Sequence, residues 1–460
     1  MNHIRKWIIE NSFYVFLLSM FSFGMFAYVS IASSNVPIMD YWRYTNGLIE
    51  KSYNGGVTLL DLCSYNGVHK SPLQLLLFLI NVKVFHWNTQ ISMYMGVILS
   101  CASLILIYKI IDESSTNKKS ILVSKVTCTV IVFTMVPYEI ITQEFAFSSA
   151  LGIFVFIGLV YVVSNFLHTC SGEYDKSIWL ICLYMFFVIN IIGGAFSVGL
   201  AIAVLIVIIF EMIKRLVRKQ PINAINFAVL ILGDILSLAL YFHGIQIATG
   251  GSGVGIGLIA LVKGFIKGAI LLCGTSLMGE YAGTTSIYII GIILFVIHVC
   301  MFLIYVVTRL YQKSYIPAIL YFYYGIIYGM LFIGRTGDGV SYLMAPRYAK
   351  EAVFVFIADI VVINLILEHF KESRKKLRFT YAASITTAIL FNVCILSADV
   401  REVHMAPYRK VYCDNLIQIM LNTDEYSDDE MYVFQADSPD QVRSGVEIMK
   451  KYNLGVFNTR

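Results

Sequence analysis

Long uncharged apolar runs dominate this chain of 460 residues and limit the folds open to it more than any other feature. Of all residues, 58% are hydrophobic and only 14% are charged, whereas a soluble domain carries about 25% charged residues. The charges cluster between the runs. A backbone in hydrocarbon must satisfy its own hydrogen bonds, as an α-helix does. The sequence therefore predicts an all-α, polytopic membrane protein.

About eleven of the apolar runs are long enough to cross a bilayer as helices. The first follows Arg5 and Lys6 and has about 20 residues, whereas the apolar core of a cleaved signal peptide has about 7–15. We therefore expect it to be retained as the first span. The predicted spans are residues 12–33, 91–111, 121–137, 147–167, 177–194, 196–213, 223–245, 284–308, 316–334, 351–368 and 379–397.

Two further apolar segments do not fit as spans. Residues 72–86 form a stretch of about 15 residues, shorter than the roughly 20 that a spanning helix needs. We expect an interfacial helix there, with Trp87 at the level of the lipid headgroups. In residues 254–277, Lys263 and Lys267 are four apart and share one helical face. That pattern indicates an amphipathic helix along the outer interface or a re-entrant segment.

Lysine and arginine residues favour one orientation of the bundle, because they concentrate in cytoplasmic loops. If the N-terminus is cytoplasmic, the outer loops near 138–146 and 194–196 contain neither residue type. An odd number of spans then puts the C-terminus outside the cytoplasm. The basic residues of the predicted inner loops are Arg5, Lys6, Lys118, Lys119, Lys214, Arg215, Arg218, Lys219, Arg309, Lys313, Lys371, Arg374, Lys375, Lys376 and Arg378.

The pattern predicts two parts, a transmembrane domain at residues 1–398 and a small extracytoplasmic tail at residues 399–460. Within the tail, Met431–Gln435 has the composition of a strand. Ser438 is suited to cap a helix, since proline follows at the first helical position and glutamine at the third. We expect that helix to end near Asn453. The tail is therefore predicted to be a small α/β unit.

Several classes of partner have little support in the composition. The net charge of +5 includes no basic run with interleaved aromatic residues, so we expect no nucleic-acid partner. The nine cysteines contain no CxxC pair, and most lie in apolar runs, which favours buried apolar roles. The outer loops contain no HxxH and no compact carboxylate cluster. We expect no cofactor and no metal site, and nothing in the loops supports a divalent cation.

The first outer loop, residues 34–90, is the segment richest in reactive side chains. It brings a carboxylate, aromatic rings, an imidazole and a cation to the outer mouth of the bundle. The carboxylate comes about seven residues after the first span, so it should stay close to the bilayer surface. A solvated loop carboxylate is an equally good interpretation of it. The candidate residues of this loop are Asp40, Tyr41, Trp42, His69 and Lys70.

A second outer loop, between the spans at 316–334 and 351–368, contains Arg335, Arg347 and Tyr348. Arginine is suited to bidentate contact with phosphate, which fits an anionic lipid headgroup. Ordinary anchoring at the interface is the alternative. In the loop near 138–146, Glu144 is a candidate for binding a polar acceptor, although helix capping explains it as well.

Some ionisable residues lie inside the predicted spans. Asp234 and Asp359 are isolated carboxylates, with His243 and His298 also at depth. Such groups are costly in hydrocarbon unless they are paired or hydrated. A polar pair between helices is the simpler interpretation, and a proton relay in a transporter is the other.

The outer loops resemble those of the GT-C glycosyltransferases. That family has a cytoplasmic N-terminus, a long first outer loop with an aspartate soon after the first span, and an interfacial helix before the second. More narrowly, the Pro37–Trp42 segment followed by Asn66–Lys70 resembles an Asp-aromatic segment followed by Asn-x-x-His-Arg in bacterial GT-C-like proteins. Lys70 stands where that pattern has arginine. The Arg347-Tyr348 pair and the tail from Val442 to Phe457 look similar too.

What the resemblance implies is an inverting transfer of a sugar from a polyprenyl-phosphate donor to a cell-envelope glycan acceptor, on the outer face of a bacterial plasma membrane. Asp40 would be the general base for the acceptor hydroxyl. Arg335 and Arg347 would stabilise the phosphate charge. His69 and Lys70 would hold the donor phosphate or orient the base, and an aromatic ring at 41 or 42 would stack on a sugar.

Two other functions remain open. A flippase or transporter of lipid-linked saccharides would have charged residues along its spans and repeat symmetry between its halves. The chain shows no such repeat, and its polar residues concentrate in the outer loops. A polymerase of lipid-linked saccharides would also be polytopic with functional outer loops. The aspartate of the first loop and the outer tail favour the transferase.

Overall fold

The computed structural model describes residues 11–64, 69–169, 173–245, 258–335 and 339–458. Within these ranges the chain is all-helical and forms no strand. The first half contains α1 (Ser12–Ala32), α2 (Tyr41–Tyr44), α3 (Glu50–Tyr53), α4 (Leu59–Leu62), α5 (Pro72–Phe85), α6 (Thr89–Ser114), α7 (Lys118–Val132), α8 (Tyr138–Ile141), α9 (Phe145–Thr169), α10 (Ile178–Phe186) and α11 (Ala195–Val217). The second contains α12 (Ala224–Phe242), α13 (Leu258–Met278), α14 (Thr284–Val307), α15 (Ile316–Arg335), α16 (Pro346–Ala349), α17 (Ala352–His369), α18 (Arg374–Leu421), α19 (Asp428–Met431) and α20 (Pro439–Tyr452).

Ten helical segments of the described chain are long and apolar enough to cross a membrane. They are α1, α6, α9, α11, α12, α13, α14, α15, the continuous segment Pro346–His369 that includes α16 and α17, and α18. α17 is the central helix, with almost every side chain buried. The chain is therefore a polytopic helical membrane protein, as the apolar runs predict.

The predicted spans and the observed helices differ at three places. The run at 121–137 is the helix α7, which has 15 residues, and 15 residues rise about 22 Å against a hydrocarbon core of about 30 Å. The run at 177–194 is likewise a shorter apolar helix, Ile178–Ile192, whose second half is a π-helix. Conversely, the segment predicted to be an interfacial or re-entrant helix contains α13, which is long and apolar enough to cross but packs against Val340–Met344 and Pro346–Ala349, so that prediction stays a prediction.

One end of the bundle, here called the loop face, contains the segments 33–64, 69–88, 133–145, 339–351 and 402–458. Backbone and side-chain contacts join them. The Met39 N–H donates to the Phe434 carbonyl at 2.9 Å, and Arg347 lies 3.5 Å from Glu139. Helix α13 packs against the 3₁₀ turn Val340–Met344 of this face. The first loop and the late loop, which the sequence places on one side, therefore meet at one end of the molecule.

A second hydrophobic core, separate from that of the bundle, lies at the loop face between the first loop and the C-terminal region. Trp42 is fully buried there, in edge-to-face contact with Phe434 and Trp87 at ring-centroid distances of 5.4 and 6.5 Å. α20 crosses above Trp42 at Gly445, where a Cβ would lie 2.8 Å from the indole ring. The tail is therefore part of a shared folding unit with the first loop.

The structure corrects two predictions in this region. Met431–Gln435 is not a strand: α19 ends at Met431, and Tyr432–Phe434 form a 3₁₀ turn that buries Phe434 in the second core. Trp87 is not an exposed anchor in contact with the headgroups, because the residue is 1% exposed within the same core. Periodicity and residue type could not show that the tail supplies a core for the loop.

The helix predicted after Ser438 is confirmed. The Ser438 hydroxyl accepts a hydrogen bond from the Gln441 N–H at 3.3 Å, and α20 ends at Tyr452 before Asn453 in the left-handed conformation. α18 runs through residue 398 without interruption to Leu421, with Pro407 inside it. The predicted boundary at 398/399 thus falls within a continuous helix.

We expect the Phe434→Ala substitution to loosen the second core. Removing a fully buried phenylalanine costs about 3–5 kcal/mol, and here the loss falls on the contact between the loop and the tail. Limited proteolysis of the purified chain in micelles should cleave the region 422–458 faster than in the parent. Tyr432→Ala is the matched control, since Tyr432 is 55% exposed. Equal cleavage of the two variants would contradict the shared core.

Candidate functional site

A cavity of about 220 Å³ opens at the loop face, between the first loop, the start of α9 and the start of α11. Its wall combines ionisable and hydrogen-bonding side chains with aromatic and aliphatic ones. A concave site of this kind, with a few convergent polar groups, is typical of ligand-binding sites. The polar residues that line it are Asp40, Tyr44, His69, Ser71, Gln74, Ser148, Ser149 and Glu351.

Two glycines fix the wall on which His69 stands. Gly193 and Gly194 have φ of +68° and +81°, and the Gly194 N–H donates to the Lys70 carbonyl at 3.0 Å. A Cβ on Gly193 would lie 1.8 Å from that carbonyl oxygen. Only glycine allows so close an approach in this backbone conformation. The first loop is therefore held directly against the start of α11.

Asp40 lies at the start of α2, where two contacts from the tail converge. The preceding residue, Met39, has φ of +63° and donates its N–H to the Phe434 carbonyl. The Asp40 carboxylate pairs with Arg43 at 3.1 Å. Arg43 in turn donates two hydrogen bonds of 2.6 Å to Asp437, and these bonds hold the pKa of Asp437 below its usual value. The C-terminal region thus reaches the cavity wall.

His69 is the second sequence-predicted residue in the cavity. Burial lowers the pKa of its imidazole; Asp40 opposes that effect, while Arg43 and Arg335 add to it. A lowered pKa keeps the ring neutral at neutral pH. A neutral imidazole can accept one hydrogen bond and donate another, which suits it to hold a hydroxyl beside Asp40.

The two arginines of the late loop lie close to each other. Arg335 and Arg347 both have their guanidinium carbons 5.2 Å from the centre of the Tyr342 ring, and Arg347 also donates to the Tyr342 hydroxyl. Arg347 faces Glu139, whose pKa is raised by burial, an effect that Arg347 itself opposes. The next residue in the chain, Ile140, lines the cavity. A cationic group therefore stands beside the cavity.

Arg335 and Arg347 do not line the cavity themselves, and five further predicted residues also lie away from its wall. Tyr41 and Trp42 are buried in the second core, so neither presents a ring face for stacking on a sugar. Lys70 extends to the carbonyl of Leu240 at 3.2 Å, at the end of α12. Tyr348 is buried against α13 and the Val340–Met344 turn. These side chains shape the site from behind.

Glu144 is also buried behind the site. It accepts hydrogen bonds from the Trp87 indole at 2.8 Å and from the Asn81 amide at 3.3 Å. Burial raises the pKa of Glu144 to about 8, although both donors oppose this effect. Its contacts join the first loop to the start of α9, which is a structural role and not contact with an acceptor.

Sequence reasoning missed six polar residues of the cavity: Tyr44, Ser71, Gln74, Ser148, Ser149 and Glu351. Glu351 begins the central helix segment and accepts a hydrogen bond from Tyr323 at 2.6 Å. Gln74, in the first turn of α5, donates to the Tyr41 hydroxyl at 3.2 Å. Ser149 lies on the first turns of α9. Only Glu351 carried a signal, as a carboxylate next to Lys350 at the mouth of a span. Asn66, Gly67 and Val68, which belong to the resembling motif, lie outside the described residues.

The four ionisable residues predicted to lie at depth have three different surroundings. His298 Nδ1 lies 2.6 Å from Asp359, and the Tyr321 hydroxyl donates to the same carboxylate at 2.5 Å. This is a polar contact between helices α14, α15 and α17. Asp234 is fully buried and has no hydrogen-bond partner among the described residues. His243 is exposed at the end of α12 and not at depth, contrary to the prediction.

No family model matches the chain, and no curated protein matches it. The likeness to GT-C glycosyltransferases therefore rests on the loop motifs and the order of the elements. Among the described residues, no three histidine, cysteine, aspartate or glutamate side chains are grouped so as to hold a metal ion. The absence of a metal requirement stays a prediction. The cavity at Asp40 is the feature from which a function can be proposed.

We expect Gly193→Ala to destabilise the chain, because the new methyl group collides with the Lys70 carbonyl. Gly55→Ala is the matched control: Gly55 also has positive φ, +74°, but its Cβ would meet nothing within 4 Å. Overpacking of this kind costs about 1–3 kcal/mol beyond the backbone strain that both variants share. Thermal unfolding in detergent micelles measures the difference, and equal midpoints would show that the contact does not constrain the loop.

Proposed function

We propose that the chain is a GT-C-type membrane glycosyltransferase. It moves a sugar from a polyprenyl-phosphate donor to a glycan acceptor of the cell envelope. The observation that carries this proposal is the loop-face cavity, which Asp40 and His69 both line, with the two late-loop arginines packed on Tyr342 at the same face. A cavity with a base on one side and cations beside it matches what such a transfer requires.

The reaction is a single displacement at the anomeric carbon. The acceptor hydroxyl attacks that carbon while Asp40 takes its proton as general base. The bond between the anomeric carbon and the phosphate oxygen breaks, and the phosphate leaves with the polyprenyl chain. Because attack and departure occur on opposite faces of the carbon, the configuration inverts. His69 would orient the acceptor hydroxyl towards Asp40.

Charge on the leaving phosphate is the main electrostatic demand of this reaction. Fixed cations placed where that charge develops lower the barrier without reorganising. Arg335 and Arg347 are the cations available at the loop face, and their shared contact with Tyr342 keeps them together. Guanidinium groups bind phosphate oxygens in a planar, bidentate manner. We assign the donor phosphate to this pair.

The location of the reaction follows from orientation. Most lysine and arginine residues between helices lie at the end of the bundle opposite the loop face, as in the turns that contain Lys118, Arg218 and Arg309. The positive-inside rule then places the loop face and the C-terminus outside the cytoplasm. A lipid-linked donor keeps its phosphate at headgroup level, within reach of that face. The proposed membrane is the bacterial plasma membrane.

Asp40→Asn should abolish sugar transfer while leaving insertion intact. General-base catalysis contributes about 10²–10⁴-fold, so the loss should be at least about 100-fold. The test compares cell-envelope glycans by mass spectrometry in cells that lack the chain and in cells complemented with the parent or the variant. A sugar present only with the parent supports the assignment.

Asp61→Asn, in the same loop but in an exposed pair with Lys51, is the control and should behave as the parent. Full transfer by Asp40→Asn would remove Asp40 from the mechanism. If cells without the chain lose the sugar and retain its lipid-linked form on the cytoplasmic side, the result would favour a flippase instead.

Arg347→Ala should weaken the use of the donor. Proteoliposomes containing the chain are given the polyprenyl-phosphate-linked form of the sugar found by the glycan comparison, at rising concentrations. Loss of a charge-assisted contact to phosphate costs about 1.5–3 kcal/mol, so kcat/KM for the donor should fall roughly 10- to 100-fold. Arg218→Ala, exposed at the opposite end of the bundle, serves as the control. Unchanged donor dependence would exclude Arg347 from the site.

A further inference from the structure

A chain of three charged side chains connects the C-terminal region to the cavity. The Arg43 Nε and one terminal nitrogen donate to the two oxygens of Asp437, each at 2.6 Å, and the other terminal nitrogen lies 3.1 Å from the Asp40 carboxylate. Bidentate pairs between arginine and carboxylate fix geometry as well as charge. The guanidinium is therefore held rigidly between two carboxylates, only one of which lines the cavity.

The tail end of this chain is itself fixed. The Asp437 N–H donates to the Gln441 side chain at 3.1 Å, and Gln441 lies in the first turn of α20. Three residues before Asp437, the Phe434 carbonyl accepts from Met39, next to Asp40. The segment around Asp40 is thus joined to the segment around Asp437 in two places. One is the backbone hydrogen bond from Met39 to Phe434, and the other is the Arg43 side chain.

This arrangement bears directly on the basicity of Asp40. A single arginine beside a carboxylate stabilises its charged form and makes it a weaker base. Here Asp437, which is negative like Asp40, makes shorter contacts with Arg43 than Asp40 does. The trio has a net charge of −1, so Arg43 holds Asp40 in place while sharing its positive charge with Asp437.

We propose that Asp437 is a positioning residue of the active site: its pair with Arg43 holds Asp40 at the cavity wall and shares the charge of that arginine. The inference rests on the transferase proposed above. It gives the C-terminal region a part in the reaction, since the site is incomplete unless the tail is docked on the first loop.

Other groups around Asp40 also influence its proton affinity. Tyr41 and Tyr44 lie on its own helix, His69 stands on the same cavity wall, and Glu351 lines the cavity from the central helix segment. Arg335 acts on His69 from the late loop. Asp437→Asn leaves all of them in place, whereas Arg43→Gln also removes a cation that acts on His69, so Asp437→Asn is the variant that isolates the effect of the pair.

The test is the pH dependence of sugar transfer in proteoliposomes of the full chain. In Asp437→Asn, Arg43 acts on Asp40 alone, which favours the carboxylate. The acid limb of the profile should move to lower pH by about one unit, and the plateau rate should fall roughly 10-fold or more through misplacement and weaker basicity. In Arg43→Gln, Asp40 loses its cation, so the acid limb should move to higher pH. Asp437→Glu should restore most of the rate.

Asp440→Asn is the control and should leave the profile unchanged, since Asp440 is an exposed carboxylate in the first turn of α20, three residues after Asp437. A lower rate with an unshifted acid limb in both Asp437→Asn and Arg43→Gln would overturn the positioning role, because a purely structural defect predicts that result. Parent-like behaviour of Asp437→Asn would overturn it as well. If the parent chain transfers no sugar, the proposed function itself fails, and the role of Asp437 fails with it.

Discussion

Burial of Trp42 between the first loop and the C-terminal region is the contact on which the loop face depends. The indole packs on Phe434 and Trp87 and lies under Gly445 of α20, so parts of the chain far apart in sequence share one small core. Asp40 and Arg43 flank this residue on the same short helix. The position of Asp40, the candidate base, therefore follows from hydrophobic packing. The ion pair between Arg43 and Asp437 then fixes the side chain with which Asp40 pairs.

Polar groups in this molecule are sorted by the solvent they face. Within the bundle, His298 and Asp359 form a close contact, as a low dielectric favours, whereas Asp234 has no hydrogen-bond partner among the described residues. At the loop face, Asp40 and His69 instead line an open cavity, with Arg335 and Arg347 beside it. In the proposed transferase, the groups that exchange protons or bind the charged donor would thus lie where water and substrate can reach them.

The helical membrane fold could be predicted from the sequence because an apolar run of about 20 residues by itself indicates a membrane-spanning helix. The observed helices differ in length from the expected ones at three places. α7 and Ile178–Ile192 are short for a span, and α13 is long although it carries two lysines. For the site, Asp40 and His69 were found because loop carboxylates and imidazoles are conspicuous. Trp42 and Glu144 looked equally reactive, but their burial depends on the tail, which no local pattern shows.

The shared core also constrains how the protein is made. Arg43 and its partner Asp437 are 394 residues apart, and ribosomes add about 5–20 residues per second. The first loop must therefore wait roughly 20–80 s after its own synthesis before the segment that completes it emerges. During that interval Trp42 lacks its contacts with Phe434 and Gly445, so the nascent loop exposes an indole that the finished protein buries.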